Sequence, residues 1–151
     1  MISPSIGSIL YISRCFNNYQ RQLTTDKTLH PSQYRVISAV CRKPGCNQEE
    51  LISSSGIDKT TMTHRLNALE DNGYIRREVS REDARCRLVF PTEKANAIYP
   101  SIHEQYEYFT DRVMENVSAE DQEALMRITA ILRQNAKTLI EEISEGTRRK
   151  R

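Results

Sequence analysis

The amino-acid sequence predicts a mainly α-helical fold with one small β-hairpin set between helices. Two observations support this prediction. Apolar residues recur every three or four positions through most of the chain, which is the period of an amphipathic helix. Between residues 74 and 90 this period gives way to two short runs of strand-forming residues, joined by a charged segment.

The length and composition fit one domain with a helical extension. Of the 151 residues, 38% are hydrophobic, which supports a modest core but no membrane span. The first eight residues lack the basic start and apolar run of a signal peptide, so we expect a cytoplasmic protein that does not contact the membrane.

The chain shows no pattern typical of a metal site or an enzyme. Its four cysteines are widely spaced, and no histidine completes a zinc site. The three histidines are scattered, and neither a Ser-His-Asp set nor a glycine-rich phosphate loop is present. We therefore expect no metal, no cofactor and no catalytic site.

The first third of the chain predicts two helices. Residues 5–23 carry an apolar stripe at helical spacing, formed by Ile9, Ile12, Phe16, Tyr19 and Leu23. A loop is expected over residues 24–29. Pro31 then suits the first position of a second helix, where its missing N–H costs nothing. The segment Lys43-Pro44-Gly45 should end that helix.

Two shorter helices follow, joined by a tight turn at Ser55-Gly56. Asn47 is expected to cap the first, with Glu50 reaching back to form a capping box. Asp58 should cap the second, whose inward face comprises Met62, Leu66 and Leu69 and whose end is marked by Asn72-Gly73.

The hairpin and two long helices complete the predicted order. Residues 74–79 and 87–90 are the predicted strands, with a polar loop between them. Thr92 should cap the fifth helix, which Pro100 is expected to kink. Ser118 should cap the sixth helix, and residues 148–151 are expected to form a frayed basic tail.

Two short helices followed by a charged hairpin have the order of a winged helix-turn-helix. In that fold the second short helix enters the major groove of DNA and contacts base edges with its polar face. Three threonines within four positions make a poor solvated helix face, which favours the groove-facing interpretation. The candidate DNA-binding residues of this helix are Lys59, Thr60, Thr61, Thr63, His64, Arg65 and Asn67.

The hairpin loop is the second candidate DNA-binding element, because arginine suits phosphates and the narrow minor groove. Its candidate residues are Arg76, Arg77, Arg81, Asp83, Arg85 and Arg87. A structural alternative is that Glu82 or Asp83 pairs with the arginines and holds the loop in shape. The DNA-binding and the structural interpretation both hold if Asp83 shapes the hairpin while Arg85 reaches outward.

These segments resemble the MarR family of winged helix-turn-helix transcriptional regulators. The wing signature of that family is Asp-x-x-Asp-Arg-Arg, a strand, then Leu-Thr-x-x-Gly, and it is matched here by Asp83, Arg85, Thr92, Glu93 and Lys94. Residues 69–75 (Leu-Glu-Asp-Asn-Gly-Tyr-Ile) are similar to the family's Leu-Glu-x-x-Gly-Leu-Ile segment. Residues 30–37 are similar to its Thr-x-x-Gln-Tyr-x-x-Leu helix start.

The sequence departs from the family pattern at several positions. Ser80, Ala84, Pro91 and Ala95 replace an aspartate, an arginine, a leucine and a glycine of the wing signature. Loss of one wing arginine is expected to change the minor-groove contact. His64 stands where family members often carry arginine, which points to an unusual target sequence.

The resemblance implies a homodimer bound to double-stranded DNA. Residues 30–92 would bind DNA, and residues 1–29 and 93–147 would form the dimerisation region. The distribution of charge along the chain agrees with this division. Residues 1–92 carry 13 Lys/Arg and 9 Asp/Glu, whereas residues 93–147 carry 5 Lys/Arg and 11 Asp/Glu. The resemblance also implies a repressor released from its operator by a small effector, often an aromatic acid.

Two hypotheses for the control of DNA binding, and one alternative function, remain open from the sequence. A small-molecule pocket would be lined by Tyr11, Tyr34, Arg35 and His103, unless the two tyrosines belong to the dimer core. A redox switch would use the thiol of Cys15 or Cys86, the latter lying between two arginines. Alternatively, the winged helix serves only contacts with other proteins.

Overall fold

The computed structural model describes residues 3–23 and 29–148, and these form a mainly helical fold with a small sheet. In chain order the elements are α1 (Pro4–Leu23), α2 (Pro31–Arg42), β1 (Cys46–Asn47), α3 (Gln48–Ser55), α4 (Lys59–Asp71), β2 (Ile75–Val79), β3 (Arg87–Pro91), α5 (Glu93–Val113) and α6 (Ala119–Arg148). The predicted fold class is confirmed. Residues 24–28 of the predicted loop and residues 149–151 of the predicted tail lie outside the described residues.

The chain forms two compact units. The first, Met1–Thr110, contains α1 to α4, the sheet and most of α5, and the second, Asp111–Arg151, contains α6. The buried hydrophobic core of the described residues lies within the first unit. No described helix is long and apolar enough to cross a membrane.

The core forms where α2 and α4 pack against the sheet. The predicted inward face of α4, Met62, Leu66 and Leu69, has no exposed surface. Ile37 and Val40 of α2 are equally buried. The other buried apolar residues include Val36, Leu51, Tyr74, Ile75, Val89, Ala95 and Ile102. The helical spacing therefore predicted correctly which side of α4 turns inward.

The sheet has three antiparallel strands in the order β1-β3-β2, one more than the hairpin predicts. β1 pairs Cys46 with Val89, and two residues are too few to show an alternating pattern in the sequence. Gly45 introduces β1 with a φ of +81° and donates its N–H to the Val89 carbonyl at 2.9 Å. A Cβ at this position would lie 3.3 Å from the Phe90 ring, so glycine suits both the angle and the space.

The helix ends follow the predicted capping chemistry. The Asn47 side chain accepts the Glu50 N–H at 2.9 Å, and the Glu50 carboxylate accepts the Asn47 N–H at 2.8 Å. Gly56 ends α3 in the left-handed conformation. A second capping interaction, in which the Gln33 side chain accepts the His30 N–H at 2.7 Å, was not predicted. These local bonds supply acceptors for helix N–H groups that lack partners within the helix.

The apolar stripe of α1 is divided between two environments. The Phe16 ring packs against Tyr106 and Phe109 of α5, with ring centres 5.2 and 4.9 Å apart. In contrast, Ile9 and Ile12 remain 42% and 44% exposed. The stripe predicts a helix correctly, but in the single chain only part of it is covered.

We expect Asn47→Ala to lower the free energy of unfolding by about 1 kcal/mol, because it removes the side-chain acceptor of the capping box. Urea denaturation followed by circular dichroism measures this difference. Asn47→Ser is the matched control, since it keeps a capping oxygen and should retain most of the stability. Equal losses in both variants would show that the cap does not stabilise α3.

Candidate nucleic-acid interface

The polar face of α4 is set by its buried stripe and its N-cap. The Asp58 carboxylate accepts the Thr61 N–H at 2.8 Å and starts the helix, and the bonds from Thr61 lower the pKa of this carboxyl. Because the opposite face is buried, four predicted DNA-binding residues lie exposed on α4: Lys59, Thr60, His64 and Asn67. They offer an ammonium, a hydroxyl, an imidazole and an amide, the groups that contact base edges and phosphates.

Two of the three threonines are half-buried. The Thr63 hydroxyl donates to the Lys59 carbonyl and accepts the Gln48 side-chain N–H, both at 2.8 Å. Thr63 therefore joins α3 to α4, a contact between the two short helices. Its place in the sequence pattern does not reveal this contact, because Gln48 lies 15 residues away.

Arg65 lies half-buried, and its Nη1 is buried without a hydrogen-bond partner among the described residues. Burial lowers its pKa from the ordinary value, and the nearby positive charge of Arg35 lowers it further. Both arginines line the same cavity. Arg65 was predicted to contact a DNA phosphate. To do so, its side chain would have to leave this partly buried position.

The tip of the hairpin is shaped by Ser80 and Asp83. The Asp83 carboxylate accepts the Arg85 N–H at 2.9 Å, and the Ser80 hydroxyl accepts the N–H of Glu82 at 3.2 Å. The backbone closes with a bond from the Ser80 N–H to the Cys86 carbonyl at 2.9 Å. Asp83 thus bonds the backbone of the loop, and the side chain of Arg85 remains exposed.

The arginines of the hairpin fall into two groups. Arg81, Arg85 and Arg87 are exposed and form no ion pair with a described carboxylate. Arg76 pairs with Glu78, and its guanidinium lies 4.7 Å from the centre of the Phe90 ring. The first group remains free to contact a phosphate backbone, whereas Arg76 is held along the strand.

Arg77 joins the hairpin to α4. Its Nε donates to the Glu70 carboxylate at 2.9 Å, and its Nη2 bonds both this carboxylate and the side-chain oxygen of Asn67, the latter at 2.8 Å. The Arg77 N–H also donates to Glu70, at 3.2 Å. The guanidinium holds the pKa of Glu70 below its ordinary value. The sequence includes Glu70 in a family-like segment but does not reveal this role.

The N-terminus of α4 and the tip of the hairpin meet around one recess of about 580 Å³. Lys59, Arg85 and Arg87 contribute positive charge to its walls, and the start of α3 contributes Asn47 and Gln48. The recess also contains Asp83, Glu49 and the Cys86 thiol. The structure thus brings together candidate residues that lie up to 28 positions apart in the sequence.

The four residues predicted to form an effector pocket lie in different environments. Arg35 lines a cavity of about 540 Å³ and donates to the Asn17 side chain at 3.3 Å. Tyr34 is part of the buried core, Tyr11 is 68% exposed on α1, and His103 lies on α5 beside Glu107 at 3.2 Å. Arg42, Tyr106, Ser54 and Ser55 also line this cavity, and sequence spacing did not indicate them.

All four cysteines are free thiols. Cys15 and Cys86, the two candidates for a redox switch, are half-buried, and the role of either remains a prediction. Burial raises the pKa of the Cys41 and Cys46 thiols, which favours their unreactive protonated form. Among the described residues, no group of three His, Cys, Asp or Glu side chains is placed to hold a metal ion.

Comparison with known proteins identifies the family. The model of the MarR family matches residues 27–85. The transcriptional regulator HosA of Escherichia coli O127:H6 is 30% identical over 96 residues, which cover 64% of this chain and 71% of that protein. The chain belongs to the MarR family of transcriptional regulators.

Two further matches extend over most of the chain. The uncharacterized HTH-type transcriptional regulator YybA of Bacillus subtilis is 25% identical over 138 residues, 91% of this chain and 92% of its own length. A putative MarR-family regulator from Listeria monocytogenes, solved in complex with a 26mer DNA, superposes with a TM-score of 0.81 at 24% identity, over 89% of each chain. The MarR fold thus covers both the helix-turn-helix with its hairpin and the flanking helices.

We expect Glu70→Gln to lower the free energy of unfolding by about 1 kcal/mol at pH 7, a value reduced for the partial exposure of the pair. The lowered pKa of Glu70 stabilises the fold fully above the ordinary glutamate value of about 4.3, and this contribution is lost as the pH falls through the lowered value. Urea denaturation of both proteins between pH 7 and pH 3 measures the difference.

The stabilities of the wild type and the Glu70→Gln variant should converge at the acidic end of that series. Glu78→Gln, in the exposed pair with Arg76, is the matched control and should change stability less. A constant difference at every pH would contradict the role of the Glu70 charge.

Proposed function

We propose that this regulator is a homodimer that binds specific double-stranded DNA as a repressor and leaves its operator when a small effector binds. The observation that carries the proposal is the position of the α4 N-terminus beside the tip of the hairpin, with Lys59, Arg85 and Arg87 around one recess. A helix for the major groove and an arginine-bearing hairpin for the adjacent backbone or minor groove would then contact DNA together.

Residues 30–92 would form the DNA-binding region. Base contacts would come from the exposed face of α4, led by Thr60, His64 and Asn67, and phosphate contacts from Lys59 and the exposed hairpin arginines. Thr63 and Arg77 would support this surface from behind through their bonds to Gln48 and Glu70. The Listeria protein, which shares this fold, was solved in complex with a 26mer DNA, and this supports DNA binding by the fold.

The homodimer would form through residues 1–29 and 93–147. Large apolar side chains lie exposed on α1, among them Ile6, Ile9, Leu10 and Ile12. A longer series lies exposed on α6, comprising Leu125, Met126, Ile128, Ile131, Leu139, Ile140 and Ile143. Exposed apolar surface on this scale is typical of a protein–protein interface.

Control by an effector is supported by the cavity beside α4. Its volume of about 540 Å³ falls within the range of small-molecule sites, and helices α2, α3 and α4 all contribute to its walls. A ligand there would contact both helices of the helix-turn-helix. Its binding would therefore change the energy of the arrangement that fits DNA.

We expect Arg85→Ala to weaken binding to operator DNA and to reduce the slope of log affinity against log salt concentration by about 1 for each hairpin. The substitution keeps the backbone N–H that bonds Asp83, so the loop should hold its shape. Fluorescence anisotropy with the chain's own upstream DNA and with random DNA, across a salt series, measures both quantities.

Glu82→Ala is the matched control, because Glu82 is exposed in the same loop and carries the opposite charge. Its affinity should equal or exceed that of the wild type. An unchanged salt slope in Arg85→Ala would refute the phosphate contact. Equal weak binding to both DNAs would argue that specific binding to this upstream DNA does not occur.

We expect Ile128→Glu to convert the dimer into monomers at micromolar concentration, because a carboxylate would be buried in an apolar interface. Sedimentation velocity measures the change. Gln134→Glu adds the same charge on the opposite side of α6 and should leave the dimer intact. A wild-type monomer, or a dimer that tolerates Ile128→Glu, would refute this interface.

A further inference from the structure

The cavity beside α4 carries an excess of positive charge. Arg35, Arg42 and Arg65 all line it, and no carboxylate belongs to the described residues that line it. We call it the arginine cavity. Three like charges around one partly enclosed space repel one another, and this repulsion is stronger than it would be in bulk water.

The hydrogen-bond donors of these arginines have few or distant acceptors among the described residues. The Nη1 of Arg65 is buried and has no hydrogen-bond partner among the described residues. Arg35 donates to Asn17 at 3.3 Å and Arg42 to the Ser38 carbonyl at 3.4 Å, both longer than the usual N–H···O distance. Guanidinium groups offer five donors each, so the arginine cavity favours an occupant that supplies acceptors.

The rest of the lining is apolar or carries hydroxyl groups. Phe16, Leu51 and Met62 contribute apolar surface, and Tyr106 contributes an aromatic ring. A ligand that only neutralised the charges, such as an inorganic ion, would leave this surface uncovered. The lining therefore suits a molecule with an apolar body and acidic groups at its edge.

We infer that the arginine cavity binds a small organic dianion, either a dicarboxylate or a phosphate monoester with an apolar ring or chain, and that Arg65 couples its binding to DNA release. The inference deepens the proposed control by an effector and rests on it. Two negative charges match three guanidinium groups better than the single charge of a monocarboxylic acid. Bidentate bonds to carboxylate or phosphate oxygens would satisfy the buried Arg65 donor.

Arg65 is the coupling residue because it belongs to both surfaces. It lies on α4 directly after the exposed His64, while its guanidinium lines the arginine cavity. A bound dianion holds this group inward and adds negative charge close to the DNA-binding face. Both effects weaken binding to phosphates, and by linkage DNA weakens binding of the dianion by the same factor.

Isothermal titration calorimetry of the full chain with four matched probes tests the chemistry of the site. Phthalate and phenyl phosphate are dianions, benzoate is a monoanion and benzamide is neutral. We expect both dianions to bind at least about tenfold more tightly than benzoate, a difference of about 1.4 kcal/mol. The tighter of the two dianions identifies a dicarboxylate or a phosphate monoester as the natural chemistry.

Arg65→Gln should lower the affinity for phthalate at least about tenfold, and Arg35→Gln provides a second test if that variant folds poorly. Arg14→Gln is the matched control, since Arg14 is exposed on α1 and does not line the cavity. Affinity for phthalate no higher than for benzoate, or unchanged binding in both cavity variants, would overturn the inference.

The coupling is measured as the ratio of operator affinity without and with saturating phthalate. This ratio should exceed about fivefold for the wild type and approach 1 for Arg65→Gln. A wild type that binds DNA but neither dianion overturns the inference and leaves the regulator function standing. A wild type that binds phthalate but not DNA supports the site and overturns its role in regulation.

Discussion

Burial of one face of α4 determines the orientation of the whole interface. Met62, Leu66 and Leu69 are fully buried, and each such side chain contributes about 1.5–3 kcal/mol when removed from water. Rotating the helix to present other residues would expose all three. The polar side chains between them therefore keep a defined direction, even where they form no contacts of their own. The same orientation of α4 places Arg65 beside the arginine cavity. The packing of this helix therefore determines both the outer polar surface and part of the cavity wall.

The central strand β3 connects the parts that would have to act together on DNA. It pairs with β1, which leads into α3, and with β2, which follows α4. Helices α3 and α4 thus lie between β1 and β2 in the chain, and both of these strands pair with β3. Strands β2 and β3 of the same sheet form the hairpin. The bonds from Arg77 to Glu70 and Asn67 add a second connection, between strand β2 and the last turns of α4. These connections favour a rigid unit in which helix and hairpin keep their separation.

The arginines show how one residue type acquires different roles in this fold. Arg85 is exposed and its backbone is bonded by Asp83, Arg77 joins the hairpin to α4, and Arg65 lines a cavity. All three belong to one positively charged part of the sequence and were equal candidates for DNA contact. Their environments separate them, and the environment of Arg65 links the proposed DNA surface to the proposed effector site.

The sequence by itself determined the helices, their caps and the buried side of α4, because these depend on residues within about four positions of one another. It also indicated the hairpin, because two runs of strand-forming residues flank one short polar loop. The capping box of Asn47 and the turn at Gly56 were predicted from such short spacings and are confirmed. It did not determine strand β1, the exposed remainder of the α1 stripe, or which polar residues support the surface. Those features depend on pairs such as Cys46–Val89, Gln48–Thr63 and Arg35–Arg65, which lie far apart in the sequence. Only the tertiary structure brings such pairs together, and it thereby decided which charges remain free and which line a cavity.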